Sequence, residues 1–439
     1  MVNGYDGTGA AGLPAATREL IARRDRALGG AYRLFYDQPV SFTRGSGVYL
    51  YDPDGNAYLD AYNNVPSVGH SHPHVTDLVS RQLATLNTHT RYLTDGLVSY
   101  AERLLATHTV GSLTAGTPGQ AMFTCTGSEA NDLALRIARH CTGATGVIVT
   151  ANAYHGVTAA LAELSPSLGR GVPLGTHVRV VPAPAPGVNF TAAVAWAIGD
   201  LERHGLRLAA FLADSLFSSD GVLPDPPGFL APVAEAVHAA GGLYIADEVQ
   251  AGFGRTGTHL WGYQRHGIAP DIVTMGKPMG NGLPIAGLVA RPDLIEAFGR
   301  QSRYFNTFGG NPVCVAAATA VLDVLEAEDL PGNAQATGTY LKDAVTRLAA
   351  ASPVLGDVRG AGLYLGVDVI APGTPGTPSP AHAAAVVNRM RERRILISAT
   401  GPHGDVLKIR PPLPFAREHA DQFLAALAEV IEAVLDHRG

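Results

Sequence analysis

The chain has 439 residues, of which 46% are hydrophobic and 16% are charged, which is enough to bury a large core in more than one domain. Its net charge of -6 gives no electrostatic reason to expect a nucleic acid or an anionic membrane as a partner. The three cysteines are far apart in sequence and suggest no disulfide framework. The N-terminal residues lack the basic stretch and apolar core of a signal peptide, and no apolar run reaches the ~18 residues that a membrane-spanning helix needs. We therefore expect a cytoplasmic protein.

The predicted elements begin with a short helix at residues 17–28. Between about residues 120 and 290, apolar runs of strand length alternate with helical patterns. Such alternation is typical of a mostly parallel sheet that is covered by helices on both faces. The candidate strands are residues 121–125, 147–151, 178–183, 209–214, 243–248, 271–276 and 285–290.

A long predicted helix at residues 312–329 leads into a region with a different pattern. There, residues 355–369, 395–399 and 406–411 are strand-like, and residues 416–436 are helical. We predict one large α/β domain and a smaller α+β domain that is built from both chain ends. The predicted boundaries are residues 1–75 for the N-terminal part of the small domain, 76–325 for the large domain and 326–439 for the C-terminal part of the small domain.

The first motif that suggests chemistry is "TCTGSEAND" at residues 124–132, a strand followed by a small-residue turn and a helix. Free backbone N–H groups at a helix start favour a phosphate, and the Ser128 hydroxyl can add a hydrogen bond. The alternative is an ordinary helix cap with Asn131 and Asp132 in the first turn.

The second motif is "LYIADEVQAGFGRTG" at residues 243–257, where Asp247 ends an apolar strand. A carboxylate in such a position needs a cationic partner, and a structural salt bridge is the alternative explanation. Gly252, Gly254 and Gly257 also match the dinucleotide pattern G-x-G-x-x-G. We reject a dinucleotide site because these glycines are separated from the strand and no convincing helix follows them.

The third motif is "IVTMGKPMGNGLP" at residues 272–284, where Lys277 ends an apolar run. Taken alone, Lys277 also fits a lysine whose charged end reaches solvent. A phosphate cradle, a buried carboxylate and a buried lysine at strand ends together match the needs of pyridoxal 5'-phosphate (PLP). Its phosphate binds a helix N-terminus, its ring nitrogen stays protonated against an aspartate, and its aldehyde forms a Schiff base with a lysine.

With these motifs the chain resembles the class III (subgroup II) aminotransferases of PLP fold type I, over residues 30–437. The resemblance implies a large domain with a mostly parallel seven-stranded sheet and a smaller α+β domain. The motifs that carry it are "GHSHP" at 69–73, "TGSEANDLALRIAR" at 126–139, "AYHG" at 153–156, "ADEVQAGFGRTG" at 246–257, "MGKPMGNGLP" at 275–284 and "NTFGGNPV" at 306–313.

The resemblance implies that Lys277 forms the Schiff base, that Asp247 pairs with the pyridine nitrogen and that Tyr154 stacks on the ring. Thr307 is expected to reach the cofactor of a neighbouring subunit, which implies a homodimer or a dimer of dimers. The chain departs from the family at Asp214 and Ser215, where many members carry Glu-Pro. The expected cofactor-binding residues are Gly127, Ser128, Tyr154, His155, Asp214, Asp247, Gln250, Lys277 and Thr307.

The expected substrate residues are Arg91, Lys408 and Arg410. Lys408 and Arg410 are two apart on a predicted strand, so they share a face and can bind one anion. Many family members have an arginine at the Lys408 position that binds the substrate carboxylate. The alternative is a pair of solvated charges on an edge strand. The three histidines in residues 70–74 have spacings that resemble a metal site, but no cysteine or acidic cluster is near in sequence, and we expect no metal.

PLP does not fix the reaction, because the protein selects which bond changes. We favour transamination, in which an amine or amino acid donates its amino group to a keto acid or an aldehyde. The alternative is β-elimination of phosphate and ammonia, because "YNNVPSVGH" and "VLKIRPPL" look similar to ethanolamine-phosphate and phosphohydroxylysine phospho-lyases. A non-catalytic PLP-fold protein is a further alternative, against which the presence of both Lys277 and Asp247 argues.

Overall fold

The computed structural model describes residues 3–110, 119–374 and 376–436 of the chain. The strands that it contains are β1 (Arg44–Ser46), β2 (Tyr49–Tyr51), β3 (Ala57–Asp60), β4 (Gln120–Thr124), β5 (Gly146–Thr150), β6 (Val178–Val181), β7 (Leu208–Asp214), β8 (Leu243–Asp247), β9 (Ile272–Met275), β10 (Ala286–Ala290), β11 (Leu355–Ala361), β12 (Tyr364–Val369), β13 (Ile395–Leu396), β14 (Ser398–Thr400) and β15 (Val406–Ile409).

Helices connect and cover these strands, and short 3₁₀ turns lie at Thr8–Gly12, Pro166–Leu168, Gly262–His266 and Lys277–Gly280. The α-helices are α1 (Ala15–Leu28), α2 (Pro73–Thr85), α3 (Asp95–Leu105), α4 (Gly127–Thr142), α5 (Ala159–Ala162), α6 (Phe190–Arg203), α7 (Ala231–Ala239), α8 (Pro292–Gln301), α9 (Pro312–Ala327), α10 (Leu330–Ala350), α11 (Pro380–Glu392) and α12 (Arg417–Asp436).

The central sheet has seven strands in the order β4-β10-β9-β8-β7-β5-β6. Strands β9, β8, β7, β5 and β6 run parallel to one another, whereas β10 is antiparallel to both β4 and β9. Every residue of β5, β8, β9 and β10 is buried, because helices cover both faces of the sheet. The predicted mostly parallel seven-stranded sheet is confirmed, and each of its strands lies within two residues of the predicted range.

Two four-stranded sheets, β1-β2-β3-β13 and β11-β12-β15-β14, lie outside the central sheet. In the first sheet, Ile395 pairs with Leu59, so residues from the two ends of the chain form one structure. This pairing agrees with a small domain that is built from both chain ends. The domain boundaries after residues 75 and 325 stay a prediction.

Helix α4 positions the site because its first residue lies at the end of strand β4. Thr126 caps the helix: its hydroxyl accepts a hydrogen bond from Glu129 N, and the Glu129 carboxylate accepts from Thr126 N. This reciprocal cap fixes where the helix begins. Leu133 and Ile137, one turn apart, are buried on the face that packs against the sheet. In residues 3–110, 119–374 and 376–436, no helix has the length and apolarity that spanning a membrane requires.

Candidate active site

A cavity of about 350 Å³ opens at the carboxyl ends of β7, β8 and β9, beside the first turn of α4. This is the edge of an open α/β sheet at which ligands bind, and its position follows from the shared direction of these strands. Predicted site residues line it together with Asn131 and Cys125. Those residues are Gly127, Ser128, Tyr154, His155, Asp214, Asp247, Gln250 and Lys277.

The start of α4 forms one wall of the cavity. The backbone N–H groups of its first residues cannot bond within the helix, and Gly127 and Ser128 supply two of them. The Ser128 hydroxyl accepts a hydrogen bond from Val157 N at 3.2 Å, which ties the loop after β5 to the helix start. Gly156 in that loop has a φ of +147°, and a Cβ atom there would lie 2.7 Å from Ser128 Oγ. The loop therefore needs glycine at this close approach.

Asp247 is the last residue of β8 and is buried. Its Oδ2 atom accepts hydrogen bonds from Asn131 Nδ2 at 2.9 Å and from His155 Nδ1 at 2.8 Å, and its Oδ1 atom accepts from Val249 N at 3.1 Å. Charge-assisted bonds of this kind hold a carboxylate in one orientation. His155 therefore holds the Asp247 carboxylate by a hydrogen bond and also lines the cavity.

Lys277 follows β9 directly and has a backbone φ of +29°, a region that L-residues rarely adopt. Burial lowers the pKa of its amine, and so does the positive charge of Arg410, whereas Asp247 and Asp214 act in the opposite direction. A lysine with a lowered pKa is a better nucleophile and proton acceptor near neutral pH. The strained backbone and the lowered pKa both occur at the residue that the sequence pattern selects.

Asp214 ends β7 and lies beside Asp247 in the sheet register. Its carboxylate accepts hydrogen bonds from the backbone N–H groups of Leu216 and Ser218, each at 2.9 Å. Burial raises its pKa, and the negative charge of Asp247 raises it further. Ser215, the other departure from the family pattern, donates to Glu248 Oε1 at 2.5 Å.

Gln250 lines the cavity, and Arg410, which like Lys408 is not among the residues that line it, donates a hydrogen bond to Gln250. Gln250 Oε1 accepts from Asn64 Nδ2 at 2.8 Å and from Arg410 Nη1 at 2.7 Å, and the same Nη1 donates to Asn64 Oδ1 at 2.5 Å. The guanidinium of Arg410 also lies 4.5 Å from the centre of the Tyr62 ring. Arg410 is 6% exposed, and both acceptors of Nη1 are uncharged amides. Burial opposes its charge, whereas Tyr62, Tyr364 and Asp60 favour it and the pKa of Arg410 is raised; it makes no salt bridge in the described residues.

Lys408 lies on β15, two residues before Arg410, as the sequence predicts. Its amine lies 5.9 Å from the centre of the Tyr62 ring, near the guanidinium of Arg410. Burial lowers the pKa of Lys408 well below its usual value, and the charges of Arg410 and Lys277 lower it further. Lys408, Arg410 and Lys277 therefore lie close enough together for their charges to affect one another.

Arg91 and Thr307 do not line this cavity within one chain. The guanidinium of Arg91 lies 3.8 Å from the centre of the Phe305 ring and borders a separate cavity with Asn306. Thr307 is exposed between Asn306 and Phe308, and the Phe308 side chain is 69% exposed. Both predicted residues therefore lie on an outer face of the chain.

The histidines of the "GHSHPH" segment each contact a different carboxylate. His70 Nε2 lies 2.7 Å from Asp60, His72 Nε2 lies 3.1 Å from Glu328, and His74 Nε2 lies 2.8 Å from Asp323. In the parts of the chain that the structure covers, no group of three or more His, Cys, Asp or Glu residues has the arrangement of a metal site.

The sequence pattern did not single out three polar residues that take part in this site. Asn131 bonds Asp247, Thr274 bonds Asn131, and Asn64 bonds both Gln250 and Arg410. The position of Asn131 could have indicated its role, because it lies one helical turn after Gly127 and therefore on the same face of α4. Asn64 lies in the segment "YNNVPSVGH", but it is far from Gln250 in sequence, so no local pattern indicates their contact.

Residues 35–431 match the family model described as aminotransferase class-III. The chain belongs to the class III aminotransferases. In this family it is similar to the protein described as alanine–glyoxylate aminotransferase 2-like from Drosophila melanogaster, which is 40% identical over 96% of this chain and 88% of that protein. It is also similar to ethanolamine-phosphate phospho-lyase homolog 1 from Caenorhabditis elegans, which is 37% identical over 94% of this chain and 93% of that protein.

Among solved structures, this class III aminotransferase is similar to a phospholyase from Arthrobacter in complex with phosphoethanolamine. The two share 46% identity and a TM-score of 0.90 over 94% of this chain and 99% of that one. The match confirms the predicted fold class and the predicted family of PLP-dependent enzymes. The residues of the cavity also fit PLP, because a lysine with a lowered pKa, a held carboxylate and a helix start surround one space.

Proposed function

We propose that this chain binds PLP and transfers an amino group from an amine that carries an anionic group to a keto acid or an aldehyde. One observation carries the proposal: Lys277, with its lowered pKa, and Asp247, held by three hydrogen bonds, line the same cavity. When bound, PLP supplies an electron sink and the carbonyl that forms a Schiff base with lysine.

The residues around the cavity would then have distinct roles. Asp247 would keep the ring nitrogen protonated, and Lys277 Nζ would take a proton from the substrate Cα and deliver it to C4' of the cofactor. The start of α4 at Gly127 and Ser128 would hold the phosphate, which suits the free N–H groups there. Tyr154 lines the cavity and would stack on the ring.

Gln250, His155 and Asp214 would support the cofactor. The Gln250 carbonyl oxygen already accepts from Asn64 and Arg410, so its amide N–H groups remain to donate to the 3'-oxygen of the cofactor. His155 would fix Asp247 through its Nδ1 hydrogen bond. Asp214 is one methylene shorter than the glutamate of many relatives, and its backbone hydrogen bonds would keep it at the cavity wall.

The anionic group of the substrate would bind Lys408 and Arg410. Both are basic, both lie near Lys277, and neither makes a salt bridge in the described residues, although Asp60 acts on Arg410 and Asp214 on Lys408. Buried basic groups without a salt-bridge partner are stabilised in their charged form when an anion binds. A substrate carboxylate or phosphate would supply that anion.

Elimination of phosphate is a second candidate reaction because two cations stand where a carboxylate needs one. A dianionic phosphate is better matched by two or three cations, and the similar Arthrobacter protein is a phospholyase with phosphoethanolamine bound. The early steps are the same in both reactions. A leaving group on the neighbouring carbon would decide between them.

We further propose a homodimer, or a dimer of dimers, in the cytoplasm. Large apolar side chains near Thr307 and Arg91 are exposed in one chain: Phe308 is 69%, Tyr92 64% and Leu93 102% exposed. Such a surface is typical of a contact with another protein. A second copy would cover it and bring Thr307 to the phosphate of the neighbouring cofactor.

The test is a panel of amines with separate measurements of amino transfer, ammonia and phosphate. For an aminotransferase we expect that an amine donor without an acceptor converts the cofactor to pyridoxamine phosphate and that no phosphate appears. Release of ammonia and phosphate in equal amounts from phosphoethanolamine, without the pyridoxamine form, would establish the elimination instead. A purified protein that shows no cofactor absorbance after incubation with PLP would contradict both reactions.

The anion site is tested with Arg410→Gln, and Arg203→Gln on the exposed face of α6 serves as the matched loss of charge. We expect Arg410→Gln to weaken catalysis on anionic amines by ~1.5–3 kcal/mol, the range for a lost hydrogen bond to a charged group. An uncharged amine should lose less, and Arg203→Gln should change neither. Equal losses on charged and uncharged amines would contradict the proposed role of Arg410.

A further inference from the structure

The orientation of Asp247 depends on a buried chain of hydrogen-bonded side chains that runs from Asn131 at the cavity wall to Thr274 on β9. Asn131, which is 1% exposed, donates from Nδ2 to Asp247 Oδ2 at 2.9 Å and to the backbone oxygen of His155 at 2.9 Å. Both N–H bonds of the amide are therefore used. Because these two partners only accept, the amide nitrogen must face them and the amide oxygen must face the other way.

The oxygen of that amide has its own partner. Thr274, which is fully buried on β9, donates from Oγ1 to Asn131 Oδ1 at 2.5 Å. Thr274 is also the neighbour of Asp247 in the register of β8 and β9. Without the hydroxyl, Asn131 Oδ1 would be a buried acceptor that has lost this partner, which favours rotation of the amide away from Asp247.

We propose that Thr274 is a positioning residue which, acting through Asn131, holds the Asp247 carboxylate against the ring nitrogen of PLP. The inference rests on the proposed function, because it assigns that partner to Asp247. Thr274 itself does not line the cavity, so its effect must pass through Asn131.

The experiment compares Thr274→Val, which keeps the shape and removes the hydroxyl, with Thr274→Ser, which keeps the hydroxyl. The readout is the 15N NMR signal of enzyme loaded with 15N-labelled PLP, followed over pH. In Thr274→Val we expect the ring nitrogen to lose its proton about one pH unit lower than in the wild type, the size of one hydrogen bond. We also expect kcat to fall about tenfold with KM changed less than about twofold, and Thr274→Ser to restore both.

Thr337→Val is the matched control, because Thr337 is another buried threonine that donates to an asparagine, Asn333 Oδ1, at 3.1 Å. Thr337→Val should lower the unfolding temperature as Thr274→Val does, but it should not change the pH at which the ring nitrogen loses its proton. If Thr274→Val fails to fold, Asn131→Ala, which removes the bond to Asp247 directly, must produce the same shift.

An unchanged ring-nitrogen titration in Thr274→Val, or in Asn131→Ala when it replaces that variant, would overturn the inference and leave the proposed function intact. A wild-type protein that binds PLP with a ring nitrogen that is unprotonated at neutral pH would overturn the assigned role of Asp247, and the inference with it. Failure of the wild type to bind PLP would overturn the proposed function itself.

Discussion

Asp247→Asn changes a carboxylate into a neutral amide of nearly the same shape. The carboxylate accepts three hydrogen bonds, two at Oδ2 from Asn131 and His155 and one at Oδ1 from Val249 N. An amide oxygen can replace Oδ2, but the amide nitrogen then faces the N–H group of Val249. One buried donor loses its acceptor, so we expect the free energy of unfolding to fall by ~1–3 kcal/mol.

Asp247→Asn should also slow catalysis, because the neutral amide cannot neutralise a protonated ring nitrogen. We expect a rate loss of at least ~100-fold, which corresponds to about 2.7 kcal/mol in the activation free energy. The assay is kcat/KM for an amine donor at saturating PLP, together with urea unfolding. Near-normal turnover in Asp247→Asn would show that the ring nitrogen has another partner.

Asp271→Asn serves as a control that separates the loss of stability from the loss of charge at the cofactor. Asp271 is also a buried carboxylate, but it precedes β9 at the opposite edge of the sheet, where it contacts Arg291 at 2.6 Å and His238 at 2.8 Å. Removing its charge should lower stability and leave kcat within about threefold of the wild type. A comparable rate loss in both variants would refute the argument that the charge acts at the cofactor.

Lys277→Ala should lose the Schiff base and proton transfer, and borohydride reduction with peptide mapping should label Lys277 in the wild type; a label on another lysine would refute the assignment. Thr307→Ala should weaken PLP retention, and dilution to monomers, followed by light scattering, should abolish activity; a fully active monomer would contradict this. Burial lowers the pKa of His266 to about 4, so the unfolded state binds the proton more readily and stability falls as pH decreases from about 6.5 toward 4. In the part of the chain that the structure covers, neither ring nitrogen of His266 makes a hydrogen bond of good geometry, although the backbone of Ser215 is near, so His266→Phe should be tolerated. Between pH 7 and 5 the wild type should lose about 2 kcal/mol more stability than this variant by urea unfolding, and equal losses would contradict the assignment.

The central sheet could be predicted because both its faces are covered. Its strands are therefore continuous apolar runs, such as residues 243–247, that polar loops and helices separate. Strands β1 and β2 have only three residues each and none is fully buried, so neither an apolar run nor an alternation marks them.

Helix α10 was not predicted, because its sequence contains residues that disfavour a helix. Gly338 lies in its middle, where a Cβ atom would lie 2.1 Å from the backbone oxygen of Gly362. The glycine is required by a close approach that the sequence does not reveal, and the buried Leu341 and Val345 hold the helix in place.

Residues at the ends of β7, β8 and β9 could be assigned to one site because parallel strands end at the same edge. That rule identified Asp247 and Lys277 and, through the helix start, Ser128. It did not identify the partners that hold them, because hydrogen bonds such as Thr274 to Asn131 join residues 143 positions apart. Arg91 shows the opposite limit: the family resemblance selects it, and it lies outside the cavity of its own chain.

The two candidate reactions use the same lysine and the same aspartate, so the choice between them depends on the other charges around the cavity. Asp247 would be balanced by the protonated ring nitrogen of the cofactor. Lys408 and Arg410 would then act on the substrate, with Asp214 acting on Lys408 and Asp60 on Arg410 as remaining carboxylates. Burial and neighbouring cations lower the pKa of Lys408, and a bound anion would raise it again. A substrate carboxylate would balance the charge of one of these two residues, and a dianionic phosphate would balance both. The protonation of Lys408 would therefore depend on the charge of the substrate, and through it the substrate charge would affect which reaction follows.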